Sequence, residues 1–481
     1  TFTASGGTGP YTFARVTGTL PPGLTLATSG AITGTPTTAG TFTFTVQATD
    51  ANGCFGERGY TVVIGGSGLQ FYPLPTTVRA LETRPGFNGC TAPGAPILAN
   101  TSLTLAMRTG CTGIPADATA VTGNITVVPQ YSAGGYLTLF PSNAAQPVVA
   151  NSNFKPNEVT NNVFTVGLGP ADGAFKIFAS ATTDVIVDVT GYFAPPSPTG
   201  LYFHPLNEPV RLVETRTLPG LTGCIKPGAP FPAGATLVQG RSPVAATCNV
   251  IPDTAQVLVG NATTIFPSAG GFLTIYSSDA IRPLAANSNF AGGDVINGPF
   301  AVKLGVDGKF NVFTPAATEL VIDILGYYSA DAVDANGAGL LFTILPKPIR
   351  ELETRPDFPG FALTGCFRPN APIQGGAGGI RTQQIWGTCD GINIPNVARA
   401  MMGNVTVVNP APNPIASGFL THYPGNVVTP PTVATSNYPI PVIFGYNRFF
   451  VVGLSPTDGT FKMFTSTTTD VILDVSGYFA P

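Results

Sequence analysis

Short apolar runs set the rhythm of this chain. "ITVVP", "YLTLFP", "FKIFA" and "DVIVDVTGYF" are rich in Val, Ile, Thr, Phe and Tyr, and residues such as Gly, Pro, Asn and Asp punctuate the sequence between them. Runs of that composition bounded by turn residues read as β-strands. No stretch keeps an i, i+3, i+4 apolar spacing over ten residues, so no amphipathic helix is predicted. In "DVIVDVT", strand alternation puts Asp184, Ile186, Asp188 and Thr190 on one face and Val185, Val187 and Val189 on the other. The predicted fold class is all-β.

The runs recur in a fixed order. "VRALETR" (78–84) returns as "VRLVETR" (210–216) and "IRELETR" (349–355). "GNITVV" returns as "GNATTI" and "GNVTVV", and "DVIVDVTGYF" as "ELVIDILGYY" and "DVILDVSGYF". Three homologous repeats follow, at 69–195, 201–330 and 341–481, behind a smaller domain at 1–66. A unit of about 130 residues with roughly eight to ten strands predicts a two-sheet sandwich or a related barrel, so the chain reads as tandem β-sandwich domains. The joins "GGSG", "PPSPTG" and "DAVDANGAG" are short, which predicts domains lying end to end with limited freedom.

Composition narrows the function classes. Charged residues make up 10% of the chain, against roughly 25% in an ordinary soluble domain. Net charge is −3 and no basic stripe exists, so nucleic acid is not an expected partner. No apolar run reaches the roughly 18 residues of a transmembrane helix. No signal peptide precedes Thr1, and a leader is expected to have been removed or to lie upstream. Six of the seven cysteines fall two per repeat: Cys90 and Cys111, Cys224 and Cys248, Cys366 and Cys389. That pattern predicts three intradomain disulfides in an oxidising compartment, each closing a loop of about 20 residues worth about 3 kcal/mol. Cys54 is left over.

The aspartates inside the apolar runs, Asp188, Asp323 and Asp474, are the first candidates for chemistry. A buried carboxylate needs a partner. Each repeat offers two arginines: Arg79 and Arg84, Arg211 and Arg216, Arg350 and Arg355. Structural ion pairs are the expected role, with metal binding and catalysis as the alternatives. Catalysis finds little support: His204 and His422 occupy non-equivalent places, so the repeats share no base. Glu82 and Asp188 could be offered as a glycosidase pair, but Glu82 sits between arginines. No enzyme activity, cofactor or metal is expected; Asp331 and Asp334 in "DAVDANG" are weak calcium candidates, with an Asx-rich turn preferred. Asn124, Asn261 and Asn404 start N-x-T sequons inside strand-like runs and are read as structural, whereas Asn100 is the better glycan acceptor.

"GGTGPYTF", "LPPGLTL", "ITGTPTTAGTFTFTVQATDANG" and "YTVVI" in the first 64 residues closely resemble the Ig-like (He-PIG) family of bacterial surface proteins. The resemblance implies a small Ig-like sandwich. Such domains begin with one more strand, and this chain starts at Thr1, inside what would be the second. The long units resemble a repeat of secreted bacterial proteins with the signature R-L-x-[DE]-T-R, then N-x-T, G-F-L-T-x-Y-P, S-N and D-x-x-G-Y-F. That resemblance implies a cell-surface or wall-associated module. Together these lead to an expected secreted structural or adhesive protein of the cell surface. It would assemble head-to-tail with copies of itself into a filament, through an open edge at Thr1, Phe2 and Thr3. The alternative is a cell-wall or carbohydrate-binding array of a larger secreted enzyme, with surface polysaccharide as partner.

Overall fold

The computed structural model describes residues 1–481 except 35, 37–39, 65–67, 129–132, 241–249, 358–362, 409–416 and 439–444. Among the described residues the only helical turn is a 3-10 segment at Gly376–Gly378. Everything else that is regular is strand, and the strands pair antiparallel.

The first 64 residues hold β1 (Thr12–Gly18), β2 (Leu24–Leu26), β3 (Ile32–Gly34), β4 (Gly40–Thr49) and β5 (Phe55–Ile64). One sheet runs β1-β4-β5, and β2 and β3 form a hairpin. Phe13, Phe44 and Val46 are its buried core, with Phe2, Tyr60 and Val62 packed partly covered against them.

The first repeat follows as β6 (Gln70–Glu82), β7 (Thr101–Ala106), β8 (Ala120–Val128), β9 (Gly135–Pro141), β10 (Ser152–Phe154), β11 (Thr160–Gly167), β12 (Ala174–Ala179) and β13 (Asp184–Ala194). They make two four-stranded sheets, ordered β11-β8-β13-β6 and β10-β9-β12-β7. Val185, Val187 and Val189 of β13 lie between the sheets with Leu81, Ile125, Phe164, Phe175 and Ile177. The other repeats reproduce both strand orders, with closing strands Glu319–Ser329 and Asp470–Ala480 in the place of β13.

The repeats do not form the end-to-end row that their short joins suggested. The outer face of each β6-type sheet is apolar at one end and is buried against the other two repeats. Phe71 of the first packs on Tyr328 of the second at 4.5 Å between ring centroids, Phe203 of the second on Phe479 of the third at 4.4 Å, and Phe342 of the third on Phe193 of the first at 4.4 Å. Backbone bridges join Phe71 to Leu201, Phe203 to Leu340 and Phe342 to Leu69. Each contact is heterologous, and the cycle closes after three within one chain. A separate core of Phe71, Phe193, Phe203, Tyr328, Phe342 and Phe479 results. The inner sheet is therefore buried on both faces, which is why β13 carries so few exposed positions. Fully burying an aromatic side chain is worth roughly 1.5–3 kcal/mol, and an end-to-end row would leave these in water.

Two repeated glycines answer close approaches within each repeat. A Cβ on Gly191, Gly326 or Gly477 of the "GY" pair would lie 2.5–2.7 Å from the ring of Phe71, Phe203 or Phe342. A Cβ on Gly123, Gly260 or Gly403 of the "GN" pair would meet the carbonyl oxygen of Asp188, Asp323 or Asp474 at 2.2, 2.3 or 2.0 Å.

Candidate functional site

The three aspartates lie on the face of the closing strand turned away from the sandwich core, toward the neighbouring repeat. In register, Asp188 stands opposite Arg79 on β6 and Asn124 on β8. Arg79 grips it with two bonds, Nε to Oδ1 at 2.9 Å and Nη2 to Oδ2 at 3.2 Å. Arg211 holds Asp323 at 2.8 and 3.2 Å, and Arg350 holds Asp474 at 2.9 and 3.3 Å. The second arginine of each motif goes elsewhere. Arg84, Arg216 and Arg355 each chelate the buried glutamate two positions back: Glu82, Glu214 and Glu353, at 2.7–2.9 Å. Register decides which arginine meets the aspartate, because only the first faces it across the strand pair; the first also reaches the same glutamate, at 3.2, 3.2 and 3.6 Å in the three repeats.

The next repeat completes each cluster. Arg79 donates to the Leu284 carbonyl of the second repeat at 2.9 Å. The Ala434 amide of the third donates to Asp323 at 3.4 Å, and the Ala150 amide of the first to Asp474 at 3.4 Å. Burial pushes the carboxyls of Asp188, Asp323 and Asp474 above their ordinary value, against the pull of their arginines. Burial acts the same way on Glu82 and Glu214, but there the bonds and charges of the arginines outweigh it and hold both below the usual range. These carboxylates are committed to ion pairs that fasten the closing strand and touch the next repeat.

A second set of contacts, not singled out in the sequence, runs beside them. Asn161, Asn297 and Asn447 hold equivalent places, opposite Thr126, Thr263 and Thr406. Asn161 accepts from the Asn289 amide of the second repeat at 3.0 Å, Asn297 from the Asn437 amide of the third at 2.7 Å, and Asn447 from the Asn153 amide of the first at 2.8 Å. The acceptor-seeking amides all belong to the "SN" motif, so that motif is a latch between repeats. A sequence signal existed: an Asn stands at the matching place of the equivalent strand in all three repeats.

Cys90 joins Cys111 and Cys366 joins Cys389. Cys224 is also disulfide-bonded, while its expected partner Cys248 lies outside the described residues. Cys54 is free and exposed. The calcium candidates lie in a hairpin joining the second and third repeats. Asp334 accepts from the Tyr327 hydroxyl and the Asn336 amide, and the Asp331 carbonyl bonds His204 Nε2 at 3.0 Å. His204 and His422 are far apart in role: His204 stacks on Tyr327 at 5.1 Å, and His422 is buried beside Phe450 and pushed down to about 3 by burial, which keeps it neutral. Asn124, Asn261 and Asn404 are buried, and Asn100 is exposed.

On the Ig-like domain, Thr1, Phe2 and Thr3 precede the first strand, and Phe2 is tied to the domain. The Phe2 amide donates to the Gly30 carbonyl at 2.7 Å, and its ring lies 4.7 Å from Tyr60. The sheet ends in two edge strands, β1 on one side and β5 on the other. Between β5 and residues 2–7 runs a groove of about 440 Å³ with Phe2, Phe13, Val46, Ala48 and Tyr60 along it and Cys54, Phe55 and Arg58 at its side. Phe55 is 66% exposed there.

Residues 1–65 match the family model described as "Putative Ig domain" (He_PIG). No curated protein matches the chain. Among solved structures, the chain is similar to the M60 catalytic domain with the CBM51-1 and CBM51-2 domains from Clostridium perfringens ZmpB, at 8% identity and a TM-score of 0.15. The alignment covers 97% of this chain and 43% of that one. A score that low carries no argument about fold or function.

Proposed function

We propose that the protein is a secreted structural or adhesive component of the cell surface, a closed body of three repeats carrying an Ig-like domain through which copies join into filaments. The observation that carries this reading is the β5 edge beside a groove with the Phe2, Phe13 and Tyr60 rings along it among polar residues such as Asp50 and Glu57. An extended segment of a second copy is the occupant: it adds a strand to β5 and seats alternate side chains in the groove. Contact between different surfaces of successive copies propagates when it does not close. The low charge and the disulfides support a setting outside the cell, and no helix of the described residues is long and apolar enough to cross a membrane.

Negative-stain microscopy of the purified full chain tests the reading. Regular fibres are expected. Dispersed particles that instead sediment with peptidoglycan or an insoluble polysaccharide would favour the wall-binding array and overturn the filament.

A further inference from the structure

The third repeat differs from its sisters at one buried place. Glu351 in "IRELETR" occupies the position of Ala80 and Leu212, both fully buried core residues. Packing alone gives no reason for a carboxyl there. Glu351 is 7% exposed, and its Oε2 has no hydrogen-bond partner. One of its carboxylate oxygens lies within 4.8 Å of the sulfurs of both Cys366 and Cys389. The charged groups on the surrounding elements have other partners, although Arg368 Nε and Arg381 Nε are themselves buried and unbonded. Arg350 holds Asp474, Arg368 pairs with Asp357, Asp390 pairs with Lys347, and the Arg381 guanidinium lies over the Phe367 ring and bonds Gln383. Burial pushes the Glu351 carboxyl up to about 7, against a bond from Gln383. The two sulfurs are unlike in access: Cys366 is exposed and Cys389 is buried at 5%.

We propose that Cys366–Cys389 is a redox-exchangeable disulfide, with Glu351 as the proton donor and acceptor for Cys389. The reductant is a dithiol. Its thiolate attacks the accessible Cys366 sulfur, forming a mixed disulfide and breaking the Cys366–Cys389 bond. The electron pair leaves on Cys389 Sγ, which takes the Glu351 proton. The second thiol of the reductant then loses its proton to water and attacks the reductant sulfur bound to Cys366. It departs as a cyclic disulfide and leaves Cys366 as a thiolate that is protonated by solvent, while Glu351 regains its proton from solvent. One dithiol is oxidised and one disulfide reduced. In the oxidising direction the Glu351 carboxylate removes the proton of Cys389 and makes it the nucleophile. The first repeat has a disulfide and no carboxyl in the equivalent place, so Cys90–Cys111 is an internal control.

The test reduces the intact oxidised chain with dithiothreitol at pH values on both sides of 7, quenches by alkylation and follows each disulfide by mass spectrometry. Dividing the Cys366–Cys389 rate by the Cys90–Cys111 rate cancels the pH dependence of the reductant. The ratio is expected to be about tenfold or more below pH 7, within the reach of general acid catalysis, and to fall as pH rises through about 7. Glu351→Gln and Glu351→Leu should each flatten it. A ratio without pH dependence in the natural protein, or one unchanged by Glu351→Gln, overturns the proposal. Glu351→Leu copies the second repeat; were it to misfold, both disulfides would open faster, and Glu351→Gln would decide alone.

Discussion

The Ig-like domain and the body of three repeats treat exposed strand surface in opposite ways. The domain fully buries Phe13, Phe44 and Val46 and leaves β5 with one strand neighbour. Each repeat buries a sandwich core of its own and then covers the outer face of its inner sheet with the next repeat, so that the last covers the first. The same kind of heterologous contact that would run on into a fibre between separate chains is closed here by covalent linkage. The contrast teaches where recognition can occur: the closed body has used its inner sheets, its arginine–aspartate pairs and its asparagines on itself, while its outer sheets and the small domain keep edge strands, of which β5 borders a groove with aromatic rings along it.

The contrast is broken hardest by removing one member of a junction pair. Asp474→Ala leaves Arg350, whose side chain is 13% exposed, with Glu353 at 3.6 Å as its remaining carboxylate. Leaving a buried charge unpaired costs about 3–5 kcal/mol, and the Glu353 contact puts the expected loss at the low end, about 3 kcal/mol. The transition of the repeats in urea, followed through Trp386, the chain's single tryptophan, should move down by that amount. The Ig-like domain should keep its own stability. A change below about 1 kcal/mol would place this pair with exposed salt bridges.

Glu351 gives the next effect and separates the third repeat from the other two. Its folded pKa is raised from 4.5 to about 7. A carboxyl raised on folding contributes stability that is complete below its unfolded value and lost as pH rises through the folded one. The third repeat should therefore weaken between about pH 4.5 and 7, by roughly 1–3 kcal/mol. Glu351→Leu should remove that slope, and an unchanged slope would refute the assignment. The asparagine latch gives an effect of the same order. Asn447→Ala strands the Asn153 amide, and Asn161→Ala and Asn297→Ala do the same at the other junctions. Each should cost about 1–3 kcal/mol in denaturant unfolding. Unequal costs would show that the three junctions do not bear alike on stability.

The all-β class was legible because runs such as "FKIFA" and "YLTLFP" carry it locally, and the Ig-like domain was legible from a long specific pattern. The closed arrangement was not. Alternation in "DVIVDVT" separates Asp188 from Val187 but says nothing of what covers the aspartate face, and short joins permit a turn inward as readily as a row. The choice between Arg79 and Arg84 depended on strand register, which no single strand reveals. Asn161 in a single strand reads as surface; only the neighbouring repeat makes it a contact.

The smallest predicted change in stability carries the largest expected change in assembly. Phe55 opens β5, is 66% exposed and borders the groove. An exposed apolar side chain contributes little to its own fold, so Phe55→Asp should shift unfolding of the Ig-like domain by less than about 0.5 kcal/mol. A further carboxylate at the mouth of the groove, beside Asp50 and Glu57, opposes entry of an incoming strand, because it would be desolvated on docking. Fibres seen with the natural protein should then be lost while the unfolding curve stays in place. Fibres that persist in Phe55→Asp would mean that copies meet elsewhere than at β5, and the open edge would be no more than the ordinary end of a sheet.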